Sequence, residues 1–415
     1  MQVVHVYDGH EKVYDGRGSV PGVVWNIARE TAAAGHEVTV IERQWDGLDP
    51  QSVHEGVRFE RLALRTGADD PWTRVPYELV DSPVKLLRLV GDRTNFAIAA
   101  LRRLRELDAD VIHVHLPFAA NVLVTVAPWI RNRMVYTAHL GELRLDALTD
   151  GPATDGGSEG IDVPSILSHI SPDVYLARRA AATTVLNSTI EQKFAERNVP
   201  AAKLTTISNG VDIDRFTNVD KAEADQVRSR CELDDDPVTL FVGTIMPRKR
   251  LIDLVCAWDE AGANGTLVLA GDSDLDEEYT ERARGEIRER GLRDRVQLTG
   301  FVPAADLPSL YSIADLFVLP SLEEGFGMTV IEAMAASTPV VATQVGATPR
   351  IIDDGEQGLL VKSGDVEALA GAIDTLLDDS IQRQRMSRRA LTRARAYSWC
   401  SVAKEFISAY QKVKP

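Results

Sequence analysis

This 415-residue chain has no run of about eighteen apolar residues, the length a helix needs to cross a bilayer. Met1-Gln2-Val3-Val4-His5-Val6 starts directly as a strand, so neither a spanning helix nor a leader peptide is expected. Cysteine is scarce as well. The three present, Cys231, Cys256 and Cys400, show no paired or metal-ligand spacing. That excludes a disulfide framework and a zinc module, and fits reduced thiols in a cytoplasm. Positive charge is also short: 46 Lys and Arg stand against 62 Asp and Glu, a net charge of −16. Such a field argues against nucleic acid as a partner. Lysine is rare beside arginine, and acids cluster at Asp234-Asp235-Asp236 and over 274–278. This composition suggests a halophile, since about 1 M salt leaves a Debye length near 3 Å.

What is present is a rhythm. The length suits two to three domains of about 150 residues, each able to bury its own core. Strand-like runs over 3–7, 37–41, 110–115 and 135–139 alternate with helical stretches over 22–34 and 96–107. A second series of strands is expected over 238–243, 266–271, 296–300, 316–319 and 339–343. Alternation of this kind predicts α/β folding on parallel, doubly wound sheets, with ligands beyond the strand C-terminal ends. Residues 141–164, rich in Gly, Asp, Ser and Thr, have the composition of a mobile loop. The turn signal Ser208-Asn209-Gly210-Val211-Asp212 marks a domain boundary. Val402, Phe406, Ile407 and Tyr410 give 399–413 a helical apolar spacing.

The most informative stretch is Glu324-Gly325-Phe326-Gly327-Met328-Thr329-Val330-Ile331-Glu332. An apolar run precedes it and helix formers follow, so it is expected to fold as strand, loop and helix. Gly325 and Gly327 permit a sharp turn with room for a ligand. The amides of Gly327, Met328 and Thr329 would meet an anion at a helix N-terminus. Glu324 and Glu332 could accept hydrogen bonds from hydroxyls. A phosphate flanked by hydroxyls describes a sugar nucleotide.

Pro320 to Gly327, Glu332-Ala333-Met334-Ala335 and Thr338-Pro339-Val340-Val341-Ala342 resemble the signature of retaining glycosyltransferases of the GT-B fold, family 4. The resemblance implies two Rossmann-like doubly wound domains facing a central cleft. Residues 1–207 would form the acceptor-side domain and 208–395 the nucleotide-sugar-binding domain, with the helix 396–415 packing back onto the first. It implies that Glu324 contacts the transferred sugar and Glu332 the ribose. Lys249, within Arg248-Lys249-Arg250, matches the lysine that contacts the donor diphosphate. Where many members carry arginine after the glycine, this chain has Thr244, and Arg248 or Arg250 would compensate. Cations aimed at the leaving diphosphate can take the role of a metal, so no metal or other cofactor is expected.

Gly18 and Ser19 stand where the family has two glycines beside the donor phosphate. His139 ends a strand where members place a histidine near the transferred sugar, while His113 and His115 read as packing or supporting residues. Gly346-Ala347-Thr348-Pro349-Arg350 resembles a loop that usually ends in Glu. If that loop faces the donor, Arg350 favours an acidic sugar. The basic, amphipathic stretch over 85–105 is an ordinary helical surface on one reading. On the other it is a peripheral membrane patch, at the inner face, that meets a lipid-linked acceptor. The expected partners are thus a nucleotide sugar and a glycan, lipid-linked or small-molecule acceptor. An epimerase or phosphorylase on the same fold, or a non-catalytic partner subunit, is the alternative.

Overall fold

A computed structural model of the chain describes residues 1–16, 18–64, 83–139, 171–234 and 236–413, those at 83–86 by their backbone. The loop expected over 141–164 lies outside these residues. The chain divides into two compact units: Met1–Asn209 with Trp399–Pro415, and Gly210–Ser398.

The first unit is built on an eight-stranded sheet in the order β3-β4-β2-β1-β5-β6-β7-β8. Its strands are β1 (Gln2–Val6), β2 (Glu37–Arg43), β3 (Gln51–His54), β4 (Val57–Leu62), β5 (Val111–Val114), β6 (Met134–Ala138), β7 (Ala182–Val185) and β8 (Leu204–Thr206). All neighbours are parallel except β3 and β4, which pair antiparallel. The all-parallel expectation is therefore corrected at this edge. Glu55 and Gly56 join the pair with φ of 46° and 82°, the two positive values that a twist-matched two-residue hairpin requires.

Side chains alternate between the two faces of this sheet. Val4, Val6, Ile112, Val114, Met134 and Tyr136 share an apolar core with Phe96, Leu123 and Leu176. The opposite face mixes valines with polar side chains. The register sets His5 beside His113, and His113 beside Val135, so these residues and Thr137 share it. The helix Trp399–Val413 lies over this face, with the rings of Phe406 and Tyr410 each 5.5 Å from that of His113.

The second unit has a six-stranded, wholly parallel sheet in the order β11-β10-β9-β12-β13-β14. The strands are β9 (Val238–Val242), β10 (Thr266–Ala270), β11 (Val296–Gly300), β12 (Leu316–Leu319), β13 (Val340–Thr343) and β14 (Gly358–Val361). Most residues of β9, β10, β12 and β13 are buried, as expected of strands covered on both faces. Counted along the chain, the order is 3-2-1-4-5-6, that of a dinucleotide-binding sheet. Its crossovers change direction between β9 and β12. The loops leaving these two strands are therefore where a ligand of such a sheet binds.

Candidate functional site

β9 is followed by Gly243, whose amide donates to the Ala270 carbonyl at 2.9 Å. A Cβ on Gly271 would fall 1.8 Å from the Gly243 carbonyl oxygen, so the two backbones touch here only because Gly271 has no side chain. Half-buried Thr244 follows. The turn Pro247–Lys249 then folds Lys249 inward, leaving it 8% exposed. Arg248 stays exposed. Arg250 adopts φ 50° ahead of the helix Leu251–Glu260, and its Nε donates to Asp253 at 2.6 Å. Of the three bases expected to grip a diphosphate, Lys249 is the buried one, and it pairs with the acidic loop.

That loop leaves β12. The Leu322 amide donates to the Arg248 carbonyl at 2.7 Å, tying the two loops together. Lys249 Nζ forms an ion pair with Glu324 Oε1, both side chains 10% exposed. The fully buried Ser321 donates its Oγ to the same Glu324 oxygen at 2.8 Å. The Ser321 carbonyl in turn accepts from Thr343 Oγ1 at 2.6 Å and Ser363 Oγ at 3.1 Å. Burial pushes the Lys249 ammonium below its ordinary pKa, and Glu324 opposes the shift. Behind the loop, Gly346 has φ 55°, and a Cβ there would fall 1.9 Å from the Glu324 carbonyl oxygen.

Gly327, at φ 86°, caps the helix Met328–Ala335 with no side chain in the capping role. The amides of Met328 and Thr329 thus open the helix, while that of Val330 already bonds back to the Gly327 carbonyl at 3.0 Å. Phe326 is buried, with its ring 6.0 Å from that of Tyr397, and Gly325 is half-buried beside it. Glu332 accepts from the buried Tyr311 hydroxyl at 3.0 Å. Its buried setting pushes the carboxyl up to about 7, opposed by the Tyr311 hydrogen bond and the Arg215 charge. Arg350 is exposed on the short helix Thr348–Ile351.

The first unit holds the other expected residues. Gly18 precedes the helix Ser19–Ala33, and its amide donates to Glu11 Oε2 at 2.5 Å. Ser19 is the first helical residue and is exposed, so the helix expected over 22–34 starts earlier. His139 directly follows β6 and is 8% exposed. Its Nε2 lies 3.1 Å from His115 Nδ1, and His115 Nε2 lies 2.9 Å from His5 Nδ1. His113 bonds the Tyr410 hydroxyl at 2.8 Å and Thr137 Oγ1 at 2.6 Å. Burial holds His5 down to about 3, and His113 and His115 well below the usual imidazole value.

The family described as "Glycosyltransferase Family 4" matches residues 22–215, and "Glycosyl transferases group 1" matches residues 224–393. The chain is a group 1 glycosyltransferase. It is 26% identical to the D-inositol 3-phosphate glycosyltransferase of Corynebacterium glutamicum (strain R), over 95% of this chain and 91% of that one. With the alpha-D-kanosaminyltransferase of Streptomyces kanamyceticus it shares 30% identity, over 58% of this chain and 62% of that enzyme. The sucrose-phosphate synthase structure from Thermosynechococcus elongatus superposes with a TM-score of 0.79 at 25% identity, covering 100% of this chain and 99% of that one. The glycosyltransferase has the GT-B fold.

Three polar residues bonded into these clusters were not expected from the sequence. Ser321 stands inside the recognised string, but nothing marks its hydroxyl as a partner of Glu324. Tyr311 and His5 sit in apolar runs, where a single polar side chain carries no periodic signal.

Proposed function

We propose that this glycosyltransferase retains anomeric configuration, moving a sugar from a nucleoside-diphosphate donor to an acceptor hydroxyl without a metal. The observation that carries this reading is the Lys249–Glu324 ion pair in the second unit, where the loops leaving β9 and β12 meet. The lysine has three N–H groups, so it can hold a diphosphate oxygen while keeping or releasing Glu324. Glu324 then turns to the hydroxyls of the transferred sugar. Glu332, backed by Tyr311, takes the ribose hydroxyls. The Met328 and Thr329 amides, at the positive end of their helix, receive charge that builds on the leaving diphosphate. Thr244 and Arg248 belong to the same donor loop. No covalent nucleophile is assigned: the departing phosphate assists attack of the acceptor on the same face. In the first unit, His139, Gly18 and Ser19 serve the sugar and the acceptor.

The reaction is assigned to the cytoplasm. The acceptor is a glycan, a small molecule or a lipid-linked sugar. The lipid-linked case draws support from the helix Pro83–Glu106, whose Leu87, Val90 and Ile98 are 72%, 55% and 44% exposed. Arg88, Arg102 and Arg105 are exposed on the same helix, and half-exposed Trp129 lies under Arg105. Aromatic, aliphatic and cationic groups together suit the surface of an anionic bilayer. No helix of the described residues is long and apolar enough to cross one.

The test is a panel of nucleotide sugars with EDTA present. The true donor raises the melting temperature by linkage, and with an acceptor it yields a product of unchanged anomeric configuration by proton NMR. An inverted product, or turnover that requires a divalent cation, contradicts the proposal. Co-sedimentation with liposomes that ignores anionic lipid removes the membrane arm.

A further inference from the structure

The loop that carries Glu324 has its backbone fixed from several sides. The Ser321 carbonyl accepts from Thr343 Oγ1 at 2.6 Å, at the end of β13, and from Ser363 Oγ at 3.1 Å, just past β14. The Leu322 amide donates to the Arg248 carbonyl at 2.7 Å. None of these bonds reaches the Glu324 side chain. Rotation about the last torsion of a glutamate is broad, so the carboxylate stays in one orientation only where side-chain donors hold it.

Two donors do so, and both take the same oxygen. Lys249 Nζ and Ser321 Oγ each donate to Glu324 Oε1, the hydroxyl from 2.8 Å. Oε2 accepts no hydrogen bond from the described residues. The two holders differ in kind. Lys249 is a point charge on a flexible four-carbon stem, and an arriving diphosphate competes for it. Ser321 is fully buried, and its Oγ stands one carbon away from the fixed backbone. An ionised carboxylate can only accept, so the Ser321 O–H is committed to Glu324.

We propose that Ser321 is a positioning residue: its hydroxyl keeps one oxygen of Glu324 in place, so that the other stays turned to the hydroxyls of the transferred sugar once Lys249 has moved to the diphosphate. This rests on the reading of Glu324 as the sugar contact. Ser321 thereby separates the two tasks of the ion pair. Lys249 can follow the leaving group while Glu324 keeps its aim, which is the preorganisation that a reacting sugar needs.

Crystal structures of variants read this without a donor. In Lys249→Ala the Glu324 carboxylate is expected to remain on Ser321 Oγ, and in Lys249→Ala with Ser321→Ala it turns away. For turnover with the donor found in the nucleotide-sugar panel, Ser321→Ala is expected to lower kcat roughly 10- to 100-fold, the range of one hydrogen bond to a charged group. Donor KM, and affinity for UDP, GDP or ADP by calorimetry, stay within about twofold of native. Damage to the loop as a whole weakens both, because the Leu322–Arg248 bond ties it to the turn that carries Lys249. Ser321→Thr keeps the Oγ and recovers most of the rate. Ser321→Cys, a weak donor, carries the same expectation if Ser321→Ala does not fold. Native kcat in either folded variant overturns the proposal. So does a Glu324 carboxylate that leaves Ser321 in Lys249→Ala, or a loss of rate matched by an equal loss of nucleotide affinity. If Glu324→Gln also turns over at the native rate, the reading of Glu324 as the sugar contact fails too. If Glu324→Gln is slow while Ser321→Ala is native, that reading stands and only the role of Ser321 is lost.

Discussion

Glu332 is the residue whose titration bears most directly on donor binding. Its ordinary value is 4.5, and burial pushes it up to about 7. Ribose hydroxyls donate to the ionised carboxylate, so lowering the pH through 7 removes acceptor capacity. Donor KM is expected to rise about tenfold from pH 8 to pH 6, and Glu332→Gln is expected to flatten that dependence. A flat native profile contradicts the ribose role. Arg350 carries a narrower prediction. Exposed on the short helix that follows Gly346, it favours acidic sugars if it faces the donor. Arg350→Ala should then reduce turnover of uronic-acid donors more than that of neutral ones, and equal losses remove the idea. Glu324 was legible because loop glycines and a helix-forming run frame it, and Lys249 because it stands in a basic strand-to-helix loop that resembles the family's. Tyr311 and Ser321 were not, because hydrogen bonding to a distant carboxylate leaves no mark in local pattern.

At the scale of elements, the loop behind Glu324 depends on one glycine. Gly346 sits at positive φ against the Glu324 carbonyl. Gly346→Ala is expected to cost about 1–3 kcal/mol of stability and to displace Glu324, with activity falling more than stability accounts for. Gly371, in the helix Val366–Asp378, has nothing within 4 Å of an added Cβ. Gly371→Ala should therefore stabilise by about 0.5–1 kcal/mol, and calorimetry separates the two.

The polar face under the C-terminal helix adds an acid sensitivity. His5, His113 and His115 are neutral when folded and titrate near 6.5 when unfolded. Their folded values are depressed, so the unfolded chain binds more protons as the pH drops below 6.5. Stability present at pH 7.5 is lost toward acid, by roughly 1.4 kcal/mol for each histidine at pH 5.5. A melting temperature for the first unit that is unchanged between pH 7.5 and 5.5 contradicts this.

Strands β9, β10, β11, β12 and β13 were visible as short apolar runs. The pair β3 and β4 was not, because Gln51–His54 faces solvent and Val57–Leu62 interleaves charges that the fold buries as pairs, such as Arg61 with Glu42 at 2.8 Å. The helical stretch expected over 96–107 and the amphipathic stretch over 85–105 form one helix from Pro83 to Glu106. Gly91 and Asp92 are weak helix formers within it, and the buried Arg43–Asp92 ion pair fixes that turn.

For the whole molecule, the net charge of −16 opposes approach of an anionic donor. Screening weakens that field, so kcat/KM for the donor is expected to hold or rise from dilute buffer to about 1 M KCl. Activity that is greatest in dilute buffer and lost in molar salt would contradict both this effect and the expectation of a halophile. The chain also returns to its first unit at Trp399. Deleting residues 399–415 removes Phe406 and Tyr410 from over His113 and uncovers that sheet face, and should reduce the stability of that unit while leaving the second unit's fold intact.

The most direct measurement is turnover of Lys249→Ala and Glu324→Gln with the identified donor, against the native chain in EDTA. Each substitution is predicted to lower kcat roughly 100- to 1,000-fold with the fold preserved. Rates within about twofold of native, less than roughly 0.5 kcal/mol of barrier, would contradict the assignment of this ion pair to the transferred sugar and its diphosphate.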